Sequence, residues 1–148
     1  ARQVFAHHGT LDKYLGGGVM ATFDTPRVGD DDADRALACA KAILRDTAQF
    51  NAQQSGPPVR LGIGLHYGDV VLGDIGSDER LEYTVIGDTV NVASRLERLT
   101  REVGEDLVIS DALYQHLQDT TLADGLHKGE PRQLRGREEP VAFWSYSV

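Results

Sequence analysis

Tyr83-Thr84-Val85-Ile86-Gly87-Asp88-Thr89-Val90-Asn91-Val92-Ala93-Ser94-Arg95-Leu96 packs a strand, a turn and a helix into one stretch. Leu81 to Ile86 has the aromatic and β-branched composition of a strand. Gly87 breaks it, and Asp88 is placed to cap a helix from Thr89 to Val103, which Gly104 stops. At about 100° per residue, Asn91, Arg95, Arg98 and Glu102 share one narrow sector of that helix. Ala93, Leu96, Leu99, Thr100 and Val103 lie on the other side. The spacing therefore predicts that Asn91 and Arg95 project one turn apart from the face opposite the core. An amide followed by a guanidinium suits a ribose and a phosphoryl group. Spacing alone reads more readily as a solvated, charged helix face.

Working upstream, Val59 to Val71 alternates strictly, which predicts one strand with paired residues at Leu81–Ile86 after a turn over Gly73–Glu79. Val59, Leu61, Ile63, Leu65 and Tyr67 would face one way. Arg60, Gly62, Gly64, His66 and Gly68 would face the other, leaving a shallow groove for close approach; His66 there reads as packed or hydrogen bonded. Asp30 to about Gln54 reads as a long helix with a buried stripe of Ala36, Ala40, Ile43, Thr47 and Phe50. Thr10 to Phe23 reads as a hairpin turning at Gly16-Gly17-Gly18, with Leu11, Lys13 and Leu15 on one face. Residues 1–9 read as a helix end, Val4, Phe5 and His8 sharing a face and Gly9 stopping it. Downstream come a strand at Leu107–Ile109, a short helix from Ser110 to Leu117, and a hairpin near Gln133–Arg135 and Val141–Tyr146. Hairpins between strands predict an α+β sandwich, mainly antiparallel, with helices on one face.

Composition bounds the function. The chain has 148 residues, 15 Lys+Arg against 23 Asp+Glu, and a formal charge of −8. One domain over residues 1–148 is expected. The acidic balance argues against nucleic acid as a main partner. The single cysteine, Cys39, leaves no intramolecular disulfide or cysteine metal site and points to a reducing, cytoplasmic setting. No stretch has the length of a membrane span, and no signal peptide is visible. The chain opens on Ala1 without Met and reads as a piece of something longer. Asp30, Asp32 and Asp34 begin like a calcium loop, but Arg35 replaces the needed Gly and Lys41 the bidentate Glu. Gly62-Ile63-Gly64 lies inside a strand, so it is no dinucleotide fingerprint. By default Lys13 is a snorkelling edge residue and Thr84 a β-former.

Taken in order, several motifs resemble the catalytic domain of class III nucleotidyl cyclases. They are Gly9-Thr10-Leu11-Asp12-Lys13-Tyr14-Leu15-Gly16, Val19-Met20-Ala21-Thr22-Phe23, Asp31-Asp32-Ala33 and Gly62-Ile63-Gly64-Leu65-His66-Tyr67-Gly68. The stretch from Tyr83 to Leu96 is the strongest, and Leu134-Arg135-Gly136 followed by Pro140-Val141 also fits. The resemblance implies a ferredoxin-like-derived α/β sandwich whose N-terminal strand would precede Ala1. It implies conversion of ATP to 3′,5′-cyclic AMP and pyrophosphate in intracellular signalling. It places Lys13 and Thr84 on adenine, Asn91 on the ribose, Arg95 on the transferring phosphoryl group, and Arg135 (or Arg137) on the terminal phosphates.

The family's two metal aspartates, which hold Mg²⁺ or Mn²⁺, are where this sequence departs. One belongs to the strand before Ala1, and Gly17 stands at the other. Gly supplies no side-chain oxygen ligand. The family works as a dimer, one subunit giving the aspartates and the other the base contacts, the Asn and the Arg. The resemblance thus implies a homodimer, or a heterodimer with a cyclase chain that has both aspartates, and an upstream sensor or receiver in the parent. It also implies that this chain alone is inactive. The competing expectation is a non-catalytic cyclase-like module for dimerisation or nucleotide sensing.

Overall fold

The computed structural model describes residues 2–15, 18–23, 31–68, 71–75, 82–86, 88–130, 132–133 and 140–148, with backbone alone for 12–15, 71–75, 82–86, 88, 132–133 and 140–141. In chain order the elements are α1 (Arg2–Ala6), β1 (Thr10–Leu15), β2 (Gly18–Thr22), α2 (Asp32–Gln53), β3 (Ile63–Leu65), β4 (Val71–Ile75), β5 (Glu82–Ile86), α3 (Asp88–Val103), β6 (Leu107–Ser110), α4 (Asp111–Gln115), a 3-10 turn (Thr120–Ala123), β7 (His127–Lys128), β8 (Arg132–Gln133), β9 (Pro140–Val141) and β10 (Phe143–Tyr146). Gly17 and Arg135, with Arg137, lie outside the described residues.

The layers follow from alternation along β6, all four residues of which are buried. Leu107 and Ile109 join Ala33, Leu37, Ala40 and Leu44 of α2 in one cluster. Val108, between them, joins Val92, Leu96 and Leu99 of α3 and Phe143 of β10 in another. Successive side chains on a strand point to opposite faces, so α2 and α3 cover opposite faces of the sheet. The α+β class holds, and the expectation of helices on one face gives way to helices on both. The sheet order is β3-β6-β10-β7, with β3 parallel to β6 and the other pairs antiparallel. Hairpins β1–β2, β4–β5 and β8–β9 form separate two-stranded sheets.

Glycines on β3 decide how closely α3 lies. A Cβ built on Gly64 would fall 2.3 Å from the Glu97 amide nitrogen and 2.5 Å from the Ala93 carbonyl oxygen. One at Gly62 would meet Thr100 Oγ1 at 2.5 Å, and one at Gly68 would meet Thr89 Oγ1 at 2.7 Å. The groove expected from the alternating glycines is therefore filled by α3 of the same chain, running antiparallel to β3. At its far end Gly104 takes the left-handed conformation, φ +73°, and its N–H donates to Thr100 O at 3.0 Å, the usual glycine helix stop.

Three expectations fail in their details. The long strand over 59–71 shrinks to Ile63–Leu65, Val71 and Gly73 belong to β4, and Val59 and Leu61 stay exposed. On α2 the buried face is rotated: Ala36 and Ala40 are buried as expected, but Leu37 and Leu44 are buried with them and Phe50 is 54% exposed. On β1 the pairing slips: Leu11 lies opposite Ala21 and Lys13 opposite Met20, so a bulge interrupts the assumed alternation through Leu11, Lys13 and Leu15. At the end of α1 it is His8, φ 62°, that turns left-handed. A Cβ on the following Gly9 would fall 2.6 Å from the Phe23 ring.

Arg35 ties the N-terminal elements together. Its guanidinium donates to the carbonyl oxygens of His7 (3.3 Å), His8 (2.9 Å) and Phe23, and pairs with Asp31 (3.2 Å) and Asp32. The Asp32 side chain is 7% exposed, so losing the cation would remove a charged partner from a buried carboxylate. Arg35→Ala is expected to cost about 3 kcal/mol, read by chemical denaturation. Asp31→Ala, on the 63%-exposed partner, should cost under about 1 kcal/mol. Equal losses in the two variants would show that the buried pair is not what matters.

Candidate active site on helix α3

Helix α3 places Asn91 and Arg95 one turn apart, on successive turns of the same side. Asn91 is exposed. Arg95 is only half-buried rather than clear of the core, which corrects the expectation that it points fully away. The helix geometry gives the reason. Arg95 sits about 40° from Asn91 and about 40° from Leu99, and Leu99 is buried. Arg95 therefore lies at the border of the core, on the side of the helix that carries Asn91.

That border position leaves one polar atom enclosed. Arg95 Nε is buried and has no hydrogen-bond partner among the described residues. A guanidinium presents five donors and no acceptor, so a sealed N–H without an acceptor carries a desolvation cost. An anion with oxygens in the guanidinium plane would remove it. The nearby Glu97 pairs with Arg101 at 3.1 Å.

The other predicted site residues are placed by backbone alone. Lys13 lies opposite Met20 on the β1–β2 hairpin, and Thr84 lies opposite Gly73 on the β4–β5 hairpin, which runs into α3. The structure thus brings Asn91 and Arg95 together and sets Thr84 on the segment leading to them. Lys13 sits on a different two-stranded sheet.

Several other chemistry-bearing residues among those described serve the fold. Asp34 accepts from the backbone N–H of Gln118 (2.8 Å) and Asp119 (3.2 Å). Lys41 Nζ donates to the carbonyls of Leu122 (2.7 Å) and Asp124 (3.0 Å) and lies 4.7 Å from the Tyr146 ring centre; burial pushes its pKa down. Burial pushes the Cys39 thiol up, which is the opposite of what a nucleophilic cysteine needs. His66 Nδ1 lies 2.7 Å from Ser110 Oγ, as a hydrogen-bonded core histidine should. Sequence reading missed Ser110 as its partner, because the two meet only when β3 pairs with β6.

Metal binding finds no fit among the described residues: no group of three or more His, Cys, Asp or Glu is arranged to hold an ion. Nor, among the described residues, is any helix long and apolar enough to cross a membrane.

Comparison with known proteins accounts for the pattern. The adenylate and guanylate cyclase catalytic domain family matches residues 3–146. The chain is 40% identical over 143 residues to an adenylate cyclase of Anabaena cylindrica, covering 92% of this chain and 28% of that protein. It is 40% identical over 119 residues to adenylate cyclase 1 of Rhizobium meliloti, covering 78% of this chain and 18% of the relative. It therefore spans less than a third of these curated relatives. Among solved structures, the guanylyl cyclase Cya2 superposes with a TM-score of 0.78 at 32% identity, covering 97% of this chain and 72% of that one. A bacterial light-regulated adenylyl cyclase superposes at 0.80 with 28% identity, covering 98% of this chain and 41% of that one. With the match running almost from end to end and the fold shared with solved cyclases, this chain belongs to the adenylate and guanylate cyclase catalytic-domain family.

Proposed function

We propose that this chain supplies the nucleotide-holding half of an adenylate cyclase site, acting on ATP to give 3′,5′-cyclic AMP and pyrophosphate. The observation that carries this reading is the Arg95 guanidinium, half-buried with an enclosed Nε lacking a partner among the described residues, one turn from an exposed Asn91. Asn91 holds the ribose by its amide, aligning the 3′-oxygen with the α-phosphorus. The new bond joins that oxygen to phosphorus, the bond to the bridging oxygen of the β-phosphate breaks, and the 3′-hydroxyl proton passes to solvent. Arg95 stabilises the negative charge that builds on the phosphoryl oxygens between these events.

Base choice falls to Lys13 and Thr84. A lysine donor with a hydroxyl partner suits the N1 and N6 positions of adenine, and the two curated relatives above are named adenylate cyclases. Arg135 takes the terminal phosphates. The family's Mg²⁺ or Mn²⁺ would be held by carboxylates of a partner cyclase chain, since Gly17 offers no side-chain oxygen. The working unit is then a dimer across the site, and this chain alone is inactive.

The test mixes this chain with a cyclase domain that carries both aspartates but has its own Asn and Arg replaced. Nucleotide turnover is followed with ATP and with GTP, under Mg²⁺ and under Mn²⁺. Cyclic AMP from the mixture and from neither chain alone is the expected result. Binding of ATP without turnover in any mixture would favour the second reading, a nucleotide-sensing module, which Gly17 motivates. Cyclic GMP as the main product would overturn the base assignment of Lys13 and Thr84.

A further inference from the structure

The segment between β3 and β4 is held by two contacts that the catalytic reading leaves unused. His66 Nδ1 lies 2.7 Å from Ser110 Oγ, which also accepts the Leu113 N–H at 3.1 Å and so caps α4. The next residue, Tyr67, stacks on His116 just past the other end of α4, ring centres 3.8 Å apart and planes within 16°. Residues 66 and 67 therefore grip α4 at both ends.

Helix α4 is itself fixed to the sheet. Tyr114 stacks on Trp144 of β10 at 3.9 Å, and the Trp144 indole N–H donates to Asp111 at 3.1 Å. The His116 ring is oriented by donation from Nδ1–H to Ala112 O at 2.7 Å. Gly68 then lies against Thr89 in the first turn of α3, where a Cβ would come within 2.7 Å of Thr89 Oγ1 and 3.3 Å of His66 Nε2. The residues leading into β4 and those following β5 thus meet at Gly68 and Thr89, the root of the β4–β5 hairpin.

We propose that His66 and Tyr67 are positioning residues: by pinning this root to α4 they hold hairpin position 84 in register with Asn91 and Arg95. The inference rests on the cyclase reading for its ligand, and on the contacts alone for its geometry. A rigid root keeps the base-contacting hairpin and the ribose- and phosphate-contacting helix at one spacing, so the nucleotide does not have to order them on binding.

Two measurements test it. In hydrogen exchange on this chain, His66→Phe and Tyr67→Ala should each speed exchange of amides within residues 82–91 about fivefold, the effect of losing one ordinary contact. Amides in residues 33–44 should not change. His66→Asn, which keeps a polar atom near the Nδ1 position, should restore the slow exchange, and His66→Gln should not. A uniform rise across the chain, or none at 82–91, would overturn the proposal. In the mixed pair, Tyr67→Ala should raise KM for ATP about fivefold and leave kcat within about twofold. Faster exchange at 82–91 with an unchanged KM would sink the positioning role. Absence of cyclic nucleotide from the unsubstituted pair would instead sink the cyclase reading.

Discussion

Gly64→Ala is expected to undo the packing of α3 on the sheet. The added methyl would lie 2.3 Å from the Glu97 nitrogen and 2.5 Å from the Ala93 carbonyl oxygen, far inside the roughly 3.5–4 Å of a normal contact. Both atoms are helix backbone, so no rotamer change relieves the clash. The helix must lift, which opens the cluster of Val92, Leu96, Leu99, Val108 and Phe143. We expect a loss of about 3 kcal/mol, at the upper end for overpacking, and a melting point about 10 °C lower for a chain of this size. Gly62→Ala is the control. Its methyl meets the Thr100 hydroxyl, a side-chain atom, so the cost should be about 1 kcal/mol and Thr100→Ala should relieve it. Calorimetry that finds Gly64→Ala as mild as Gly62→Ala would show that α3 is not held at this distance.

The contrast shows what was legible in the sequence. Alternating glycines at 62, 64 and 68 announced a close approach, and α3 fills it. Local signals were read well: the Gly104 stop, a short helix starting at Ser110, whose Oγ accepts the Leu113 N–H as its cap, and the β1–β2 hairpin. Signals set by tertiary contact were not. Val59 and Leu61 alternate like strand residues, but the ladder of β3 with β6 covers only Ile63–Leu65. The rotated face of α2 follows from the same cause: a small residue such as Ala33 counts weakly in a hydrophobic pattern, yet here it packs beside Leu107 and Leu113. Arg35, a failed calcium-loop position in the sequence, is a structural clamp, because its partners come from residues far along the chain as well as from its own helix. For the candidate site, the pairing of Asn91 with Arg95 was legible from helical spacing. The burial of Arg95 Nε was not, since enclosure of a single side-chain atom depends on tertiary packing that spacing along one helix does not carry.

Arg95 should separate stability from activity. Its enclosed Nε has no partner among the described residues, so replacing the side chain by an apolar one of similar length removes an unpaired donor. Arg95→Met is therefore expected to hold stability or raise it by up to about 1 kcal/mol, measured by urea denaturation. The same variant in the mixed pair should lower kcat about 10²–10³-fold, the loss seen when a preorganised donor to a developing oxyanion is removed. Arg95→Lys keeps the charge but loses the planar fork, and should recover only part of the rate. Asn91→Ala, on an exposed residue, should leave stability within about 0.5 kcal/mol while lowering turnover, because the ribose loses its alignment. Stability and rate that fall together in Arg95→Met would make Arg95 a packing residue. Stability kept and rate lost is what a group held ready for an anion requires, since the cost of enclosing it is recovered only when the phosphoryl oxygens arrive.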